Sequence, residues 1–327
     1  MEAKEQTRAP RISGTNVLGE WIDVDYSANL LTVILFFDPI SKNSEDAVES
    51  IRRLAQRYQN LAIGFWFVME PRLSCMFRGE VVQRTLERKG LVRDAIFDGN
   101  GMVELQSQFE EVPALFVADA NSFVRTRYEG EISFREVERT IQARLSVSGY
   151  RDELPAIAEL DLEPPQSRGF LLRQMGYVAG DYLFSSSVIP ETDQQFSHPD
   201  FYLPNTIYPC GSWFVGRDFV EGKPGSTVYI SCLKDESVRV FLGSEEGSTV
   251  RVHTSIESEH PLILGRDVKR EQGVLELAVD EFRPYEILGL TGDTDLLISL
   301  QVSSGSLKLY CVEYSHWNQF AESHALS

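Results

Sequence analysis

Two hydroxyl side chains, Ser41 and Ser44, stand three residues apart, and the turn Asp38-Pro39-Ile40 separates them from an apolar run, Leu31–Phe37. Two cysteines at this spacing could exchange disulfides, because a thiolate is the nucleophile of that reaction. A serine hydroxyl cannot supply that nucleophile near neutral pH. At the start of a helix, serine is a preferred capping residue that satisfies unpaired backbone N–H groups. The pair therefore predicts a capped helix start without dithiol chemistry.

The elements around this pair alternate between strand and helix over the first 145 residues. Apolar runs of strand length are expected as buried strands at 31–37, 61–68 and 95–97. Amphipathic stretches predict helices at 45–58, 79–89, 102–109 and 133–145. In the short helix, Met102, Leu105 and Phe109 are expected to point inward. A β-hairpin that opens with Val112-Pro113 precedes the last helix, and the whole pattern indicates an α/β domain.

Residues from about 11 to 145 resemble a thioredoxin-like domain of the TlpA and DipZ type in the order of these elements. The resemblance places the nucleophilic and resolving cysteines of that family on Ser41 and Ser44, and the tryptophan that precedes them on Ile40. It also matches Val112-Pro113 to the family's cis-proline, so this bond is expected to be cis. Because the serines depart from the family pattern, its redox activity is not carried over.

The four cysteines are far apart in sequence and form no CxxC pair, so neither a dithiol nor a zinc knuckle is predicted. Cys75 follows the second strand, where functional loops gather in such sheets. Arg72 and Arg78 would lower its pKa if they lay close to the thiol. One thiol could sense an oxidant but could not cycle as a dithiol. Cys75 is therefore the possible thiol site of an alternative function, as a redox sensor or an oxidoreductase.

Short alternating strands separated by turn residues recur after residue 211 and predict an all-β, jelly-roll-like sandwich. An acidic, proline-bearing stretch separates the two halves. The predicted organisation is a thioredoxin-like domain at 1–148, a linker and draping segment at 149–210, and a β-sandwich at 211–327.

This second half resembles the module that follows the thioredoxin-like domain in DipZ-type proteins, on motifs such as Gly176-Tyr177, Gly211-Ser212-Trp213 and Asp280–Tyr285. That module is similar in fold to carbohydrate-binding modules, which implies a sugar site lined by exposed aromatic side chains. The candidate ligand aromatics are Trp213, Tyr177, Tyr285 and Trp317. Trp213 and Tyr285 also fall in apolar patterns typical of core residues.

The net charge of −18 lies mostly in the second half of the chain. Such a surface repels phosphate backbones and anionic lipids, so we expect no nucleic acid partner. With no membrane-length apolar run and no signal-peptide pattern, we expect no direct membrane insertion and a cytoplasmic location. The five histidines have no ligand spacing, and neither a metal nor a cofactor is predicted.

These observations favour a non-catalytic, redox-inactive accessory or scaffold protein that acts through protein–protein association. Its partner is expected to present a basic or peptide-like surface to the positions Ser41, Ser44, Val112 and Pro113. Carbohydrate binding by the sandwich and thiol chemistry at Cys75 are the two alternatives.

Overall fold

A computed structural model describes residues 7–157, 167–178, 188–234, 236–245, 247–255, 263–290 and 295–317. The chain divides into two compact units, Met1–Pro165 and Gln166–Ser327. Each unit has its own sheets and is described by itself.

The first unit follows the predicted alternation of strand and helix. Its strands are β1 (Ser13–Thr15), β2 (Trp21–Asp23), β3 (Leu31–Phe37), β4 (Ile63–Met69), β5 (Ala95–Phe97), β6 (Ala114–Asp119) and β7 (Val124–Glu129). Its α-helices are α1 (Lys42–Arg57), α2 (Gly79–Lys89), α3 (Met102–Ser107) and α4 (Phe134–Val147), with 3-10 helices at Tyr26–Ala28 and Ser74–Phe77. Gly90 ends α2 in the left-handed region with φ 64°, a conformation that glycine adopts without steric cost.

Five of these strands form one mixed sheet in the order β5-β4-β3-β6-β7. β3 is parallel to β4 and β4 to β5, whereas β6 runs antiparallel to both β3 and β7. The bond between Val112 and Pro113, just before β6, is cis as expected. The first unit has a thioredoxin-like fold.

The helices pack through their predicted apolar stripes. The buried apolar residues of α1 are Ala47, Val48, Ile51 and Leu54, and those of α4 are Phe134, Val137, Ile141 and Leu145. Burial of one large aliphatic or aromatic side chain stabilises a fold by about 1.5–3 kcal/mol. The two stripes thus hold the helices against the sheet whose strand ends carry the candidate site.

The short helix α3 differs from its prediction, because Met102 and Leu105 are exposed. The helix ends at Ser107, and Gln108 has φ 53°, so the chain turns before Phe109 can continue the helical face. Val103 is the buried apolar residue of α3. Phe109 does point inward and contacts the Phe36 ring at a centroid distance of 4.9 Å.

The described part of the second unit consists of antiparallel strands. They are β8 (Ser167–Gln174), β9 (Thr192–Phe196), β10 (Ile207–Val215), β11 (Val220–Gly222), β12 (Thr227–Cys232), β13 (Glu236–Gly243), β14 (Ser248–Ser255), β15 (Ile263–Leu264), β16 (Lys269–Glu271), β17 (Val274–Val279), β18 (Arg283–Leu290), β19 (Leu296–Ser304) and β20 (Leu307–Trp317).

These strands form a β-sandwich, in which β10 belongs to both halves of the sheet. One end of β10 pairs with β9 and β11, and its other end pairs with β12. Both halves contribute to one apolar core, which includes Val240 from β13 and Leu300 from β19. Alternation is clear in β19, where every second side chain is buried. The sandwich predicted for this half is therefore the observed fold.

The limits of the sandwich differ from the predicted organisation. β8 pairs with β20, and β9 pairs with β10, so two segments within 149–210 are strands of the second unit and not linker. Their mixture of aromatic and turn residues obscured the strand pattern. The acidic, proline-bearing stretch predicted as a linker motif runs from Leu154 to Pro165, and its residues 158–165 lie outside the described part of the chain.

Candidate functional site

The two serines that replace a dithiol both take part in hydrogen bonds that hold the start of α1. Ser41 is the N-cap, and its Oγ accepts the N–H of Ser44 at 3.4 Å. The side chain of Ser44 is fully buried, and its Oγ accepts the backbone N–H of Asp38 at 3.1 Å. Ser41 therefore caps the helix as predicted, whereas Ser44 joins the helix to the end of β3.

The cis-proline lies on the same side of the sheet as this helix start. The pairing of Phe36 with Ala114 places Pro113 beside the end of β3. The N–H of Gly130 donates to the Pro113 carbonyl at 2.9 Å, and Asn43 Nδ2 donates to the Gly130 carbonyl at 3.1 Å. We call the region formed by Ser41–Ser44, Val112 and Pro113 the notch, in which Ser44 and Pro113 are buried. The structure thus brings together the positions predicted as a degenerate active site.

Three acidic residues that the sequence analysis did not single out lie in one row at the same edge of the sheet. Each parallel strand is followed by one acid: β3 by Asp38, β4 by Glu70 and β5 by Asp98. The strands pair in register up to this row, with Met69 opposite both Phe37 and Phe97. The three residues are 3%, 2% and 4% exposed. We call Asp38, Glu70 and Asp98 the carboxyl row.

The members of the row differ in their hydrogen bonds. Asp98 Oδ2 accepts the N–H groups of Val103 and Glu104, both at 2.9 Å, in the first turn of α3. Asp38 Oδ1 accepts the N–H of Ile40 at 2.9 Å. Glu70 Oε1 is buried and finds no hydrogen-bond partner among the described residues. Glu70 is therefore the unsatisfied member of the row.

Burial and charge repulsion make this row electrostatically unusual. Burial raises the pKa of Glu70 to about 9, and the charges of Asp98, Glu104 and Asp38 add to the rise while Arg72 opposes it. Burial also raises the pKa of Asp38 to about 6, against the N–H of Ile40 and the charges of Arg72 and Lys89. With a pKa of about 9, Glu70 is protonated at neutral pH.

Arg72 is the nearest cation to the row in these contacts, and it is partly exposed. Its Nε lies 3.9 Å from Asp38 Oδ2, and its Nη2 lies 3.8 Å from Glu104 Oε1. The pair with Glu104 is long and exposed on both sides, and such a pair contributes at most about 1 kcal/mol. Arg72 therefore offsets only part of the negative charge at this edge.

Cys75 lies in the 3-10 helix Ser74–Phe77, where its side chain is buried. A redox-sensing thiol is expected to be accessible to its oxidant. Burial gives no support to the thiol-based alternative, which stays a prediction.

The aromatic residues predicted for a sugar site do not form one exposed platform. Trp213 is fully buried and donates from Nε1 to the Cys210 carbonyl at 3.0 Å. Tyr285 is also fully buried, and its hydroxyl donates to the Glu281 carbonyl at 3.0 Å. Both are core residues, as their apolar patterns indicated. Tyr177 is partly exposed, and Trp317 ends β20 with its side chain outside the described part of the chain.

A different aromatic cluster lies on the surface of the sandwich. The His198 ring contacts Tyr229 at a centroid distance of 4.8 Å, and Tyr202 contacts Tyr229 at 5.8 Å. Tyr202 also shares a hydrogen bond with His198 Nε2 at 2.9 Å. Phe201, next in the chain to Tyr202, is 68% exposed. Repeated aromatic and proline residues between 196 and 204 were the only sequence signal for this cluster.

No group of three or more His, Cys, Asp or Glu side chains in the described ranges is arranged to hold a metal ion. None of the helices described is both long and apolar enough to cross a bilayer.

No protein-family model matches the chain, and no curated protein matches it. Several solved structures match part of the chain. A putative thioredoxin from Neisseria meningitidis is 19% identical and covers 44% of this chain and 93% of its own, with a TM-score of 0.38. A putative thiol:disulfide interchange protein DsbE from Chlorobium tepidum is 15% identical, with coverages of 44% and 99% and a TM-score of 0.37.

A secreted disulfide oxidoreductase from Mycobacterium tuberculosis is 16% identical, covers 41% of this chain and 96% of its own, and has a TM-score of 0.35. Likenesses at these scores carry no argument about activity. The strand order, the register and the helix positions of the first unit establish its fold.

Proposed function

We propose that this protein is a redox-inactive binding protein that docks an extended segment of a partner protein in the notch. The observation that carries the proposal is the use of both serine hydroxyls. Ser41 caps α1 and Ser44 binds the N–H of Asp38, so the helix start is complete without thiols. The helix start, the cis-proline and the loop at Gly130 stay joined by hydrogen bonds. They leave a polar surface suited to a peptide backbone.

The charge of the molecule supports a basic partner. The chain carries a net charge of −18. A negative surface accelerates association with a positive one, and salt weakens this attraction. We therefore expect the docked segment to be rich in lysine or arginine, with an affinity that falls as NaCl is raised.

The test measures the binding of the full chain to an array of extended peptides of varied charge. Val112 is partly exposed in the notch, whereas Val147 at the end of α4 is 80% exposed. Val112→Arg should abolish binding, because it places a bulky cation in the notch, and Val147→Arg is the matched control with the same change in charge. Equal binding by the two variants, or turnover in an insulin-reduction assay, would contradict the proposal.

Carbohydrate binding by the sandwich is a second candidate, favoured by the surface aromatic cluster. Sugars stack on partly exposed aromatic rings that have polar groups nearby, and His198, Tyr202 and Tyr229 offer both. On a glycan array, Tyr229→Ala should remove binding by the full chain. Trp21→Ala is the control, since Trp21 is 67% exposed and lies in the first unit. An array on which the wild-type chain binds no glycan would eliminate this candidate.

A further inference from the structure

A cavity of about 370 Å³ lies in the first unit among the N-terminal segment, the end of α3, and strands β6 and β7. Its volume is at the lower end of the range typical of small-molecule sites. Its lining includes Arg8, Arg125 and Arg127 together with Phe116 and Val124. None of the notch residues line it. The cavity therefore combines cationic groups with an apolar wall in a chain that is acidic as a whole.

Two of the three arginines are fixed by other contacts. Arg125 Nε donates to Asp119 Oδ2 at 2.7 Å, and its Nη2 donates to the same oxygen. Arg127 pairs with Glu129, and its Nη2 donates to the Gln108 carbonyl. The ion pairs neutralise most of the charge of these two side chains and hold their guanidinium groups in place. Arg125 Nη1 is not used in the pair with Asp119.

Arg8 is different, since it forms no ion pair with a described acidic residue. Its backbone is held in place, because the Thr7 carbonyl accepts the N–H of Val124 at 2.9 Å and Ala9 donates to the Ser122 carbonyl at 2.7 Å. Its guanidinium carbon lies 5.7 Å from the centroid of the Phe123 ring, and that of Arg125 lies 5.5 Å from the same ring. The guanidinium groups of Arg8 and Arg125, which both line the cavity, thus lie near the same aromatic ring, and that of Arg8 is without a counter-ion in the described structure.

We propose that this cavity binds a small organic anion, with its carboxylate or phosphate group on Arg8 and Arg125 and its apolar part against Phe116. Guanidinium groups are suited to this task because their planar N–H donors match the oxygens of both anions. Polar groups at Thr126 and Gln106 line the same cavity and can bind further ligand oxygens. This site is independent of the proposed docking of a peptide in the notch.

The test is calorimetric titration of the full chain at low salt with phenyl phosphate, benzoate, inorganic phosphate and phenol. We expect saturable one-to-one binding of phenyl phosphate or benzoate, at least threefold tighter than inorganic phosphate. Phenol should bind too weakly to measure, because it lacks the anionic group. The relative affinities of phenyl phosphate and benzoate identify which oxyanion the site prefers.

Arg8→Gln should weaken binding roughly tenfold through loss of a charge-assisted hydrogen bond. Arg93→Gln removes one exposed positive charge elsewhere in the unit and should leave the affinity unchanged. Thr126→Trp fills the cavity without any change in charge, and this variant should not bind the organic anions. The proposal is overturned if neither organic anion saturates, if inorganic phosphate binds as tightly as both, or if Arg8→Gln and Arg93→Gln weaken binding equally.

Discussion

Buried acids occur in both units, but Glu70 of the first unit differs in its partners from the buried acids of the sandwich. In the sandwich, Glu313 accepts from Arg239 Nη1 at 3.1 Å, with both side chains buried. Glu236 accepts from Asn205 Nδ2 at 2.7 Å. In the first unit, Glu70 is equally buried, yet its Oε1 has no partner in the described structure, and the charges of three further acids act on it. The sandwich acids are framework groups, whereas Glu70 is not held by a partner of this kind.

The difference indicates where the fold tolerates an energetic cost. A buried carboxylate is destabilising unless it is paired, and a group in this position often takes up a proton. Perturbed carboxyl groups cluster at functional sites, although structural networks perturb them too. Glu70 and Asp38 lie at the edge of the sheet that carries the notch. The cost is thus located beside the proposed binding surface, and variants in the two regions should respond differently.

The largest effect is expected from breaking the buried pair of the sandwich. Arg239→Met removes the guanidinium that pairs with the buried Glu313 carboxylate, which should lower the free energy of unfolding by about 3–5 kcal/mol. Hydrogen exchange of amides in the second unit would measure the loss. Arg251→Met is the control, because the pair of Arg251 with Glu276 is largely exposed and should contribute at most about 1 kcal/mol. Equal losses of unfolding free energy in the two variants would show that burial does not determine how much an ion pair contributes to stability.

Glu70→Gln should have the opposite sign and stabilise the first unit. The unfolded chain releases the Glu70 proton near its ordinary pKa of 4.5, whereas the folded protein keeps it up to about 9. Between these values, folding takes up a proton, so wild-type stability falls as pH rises, by up to about 1.4 kcal/mol per pH unit. Below the lower value both states are protonated, and above the upper value the penalty is constant. Glutamine cannot ionise and avoids this penalty.

The advantage of Glu70→Gln over wild type should therefore grow by about 2–3 kcal/mol between pH 5 and pH 7. Denaturation of both proteins at several pH values measures this difference. The titration of Asp38, whose pKa is raised to about 6, is common to both proteins and largely cancels. Glu131→Gln, at an exposed position, is the control and should show no pH-dependent advantage. If the difference in unfolding free energy between Glu70→Gln and wild type did not change with pH, Glu70 would ionise normally and the row would not be a strained site.

The sequence predicts the first unit well where one strong local signal decides the structure. The β3 run, the Gly90 stop and the Ser133 cap are such signals, and all three match the structure. The carboxyl row depends on the register of three strands, which no local pattern contains. β4 was also predicted to end at Val68, which placed Glu70 inside a loop rather than directly after the strand.

The sandwich shows another kind of contact that a single sequence does not predict. Alternation indicates that one face of a strand is buried, but not which aromatic residues lie at the surface. The sequence allows Trp213 to be either a ligand-binding or a core residue, and its full burial shows that it is a core residue. The cluster of His198, Tyr202 and Tyr229 unites a loop with β12, and the structure alone brings these distant residues together. Such contacts between separate segments are the part of a site that a single sequence does not contain.

The smallest effects are expected from alanine variants of the two serines of the notch, which differ in the hydrogen bonds that they form. Ser44→Ala leaves the buried N–H of Asp38 without its acceptor, which should cost about 1–2 kcal/mol. Ser41→Ala removes a longer hydrogen bond at a partly exposed cap and should cost about 0.5–1 kcal/mol, since water can replace the hydroxyl. Thermal denaturation of the two variants gives the order. If Ser41→Ala were the more destabilising, the hydroxyl of Ser44 would not be what joins α1 to β3. The notch would then depend on the Ser41 cap of α1. The buried hydrogen bond between Ser44 and Asp38 would matter less.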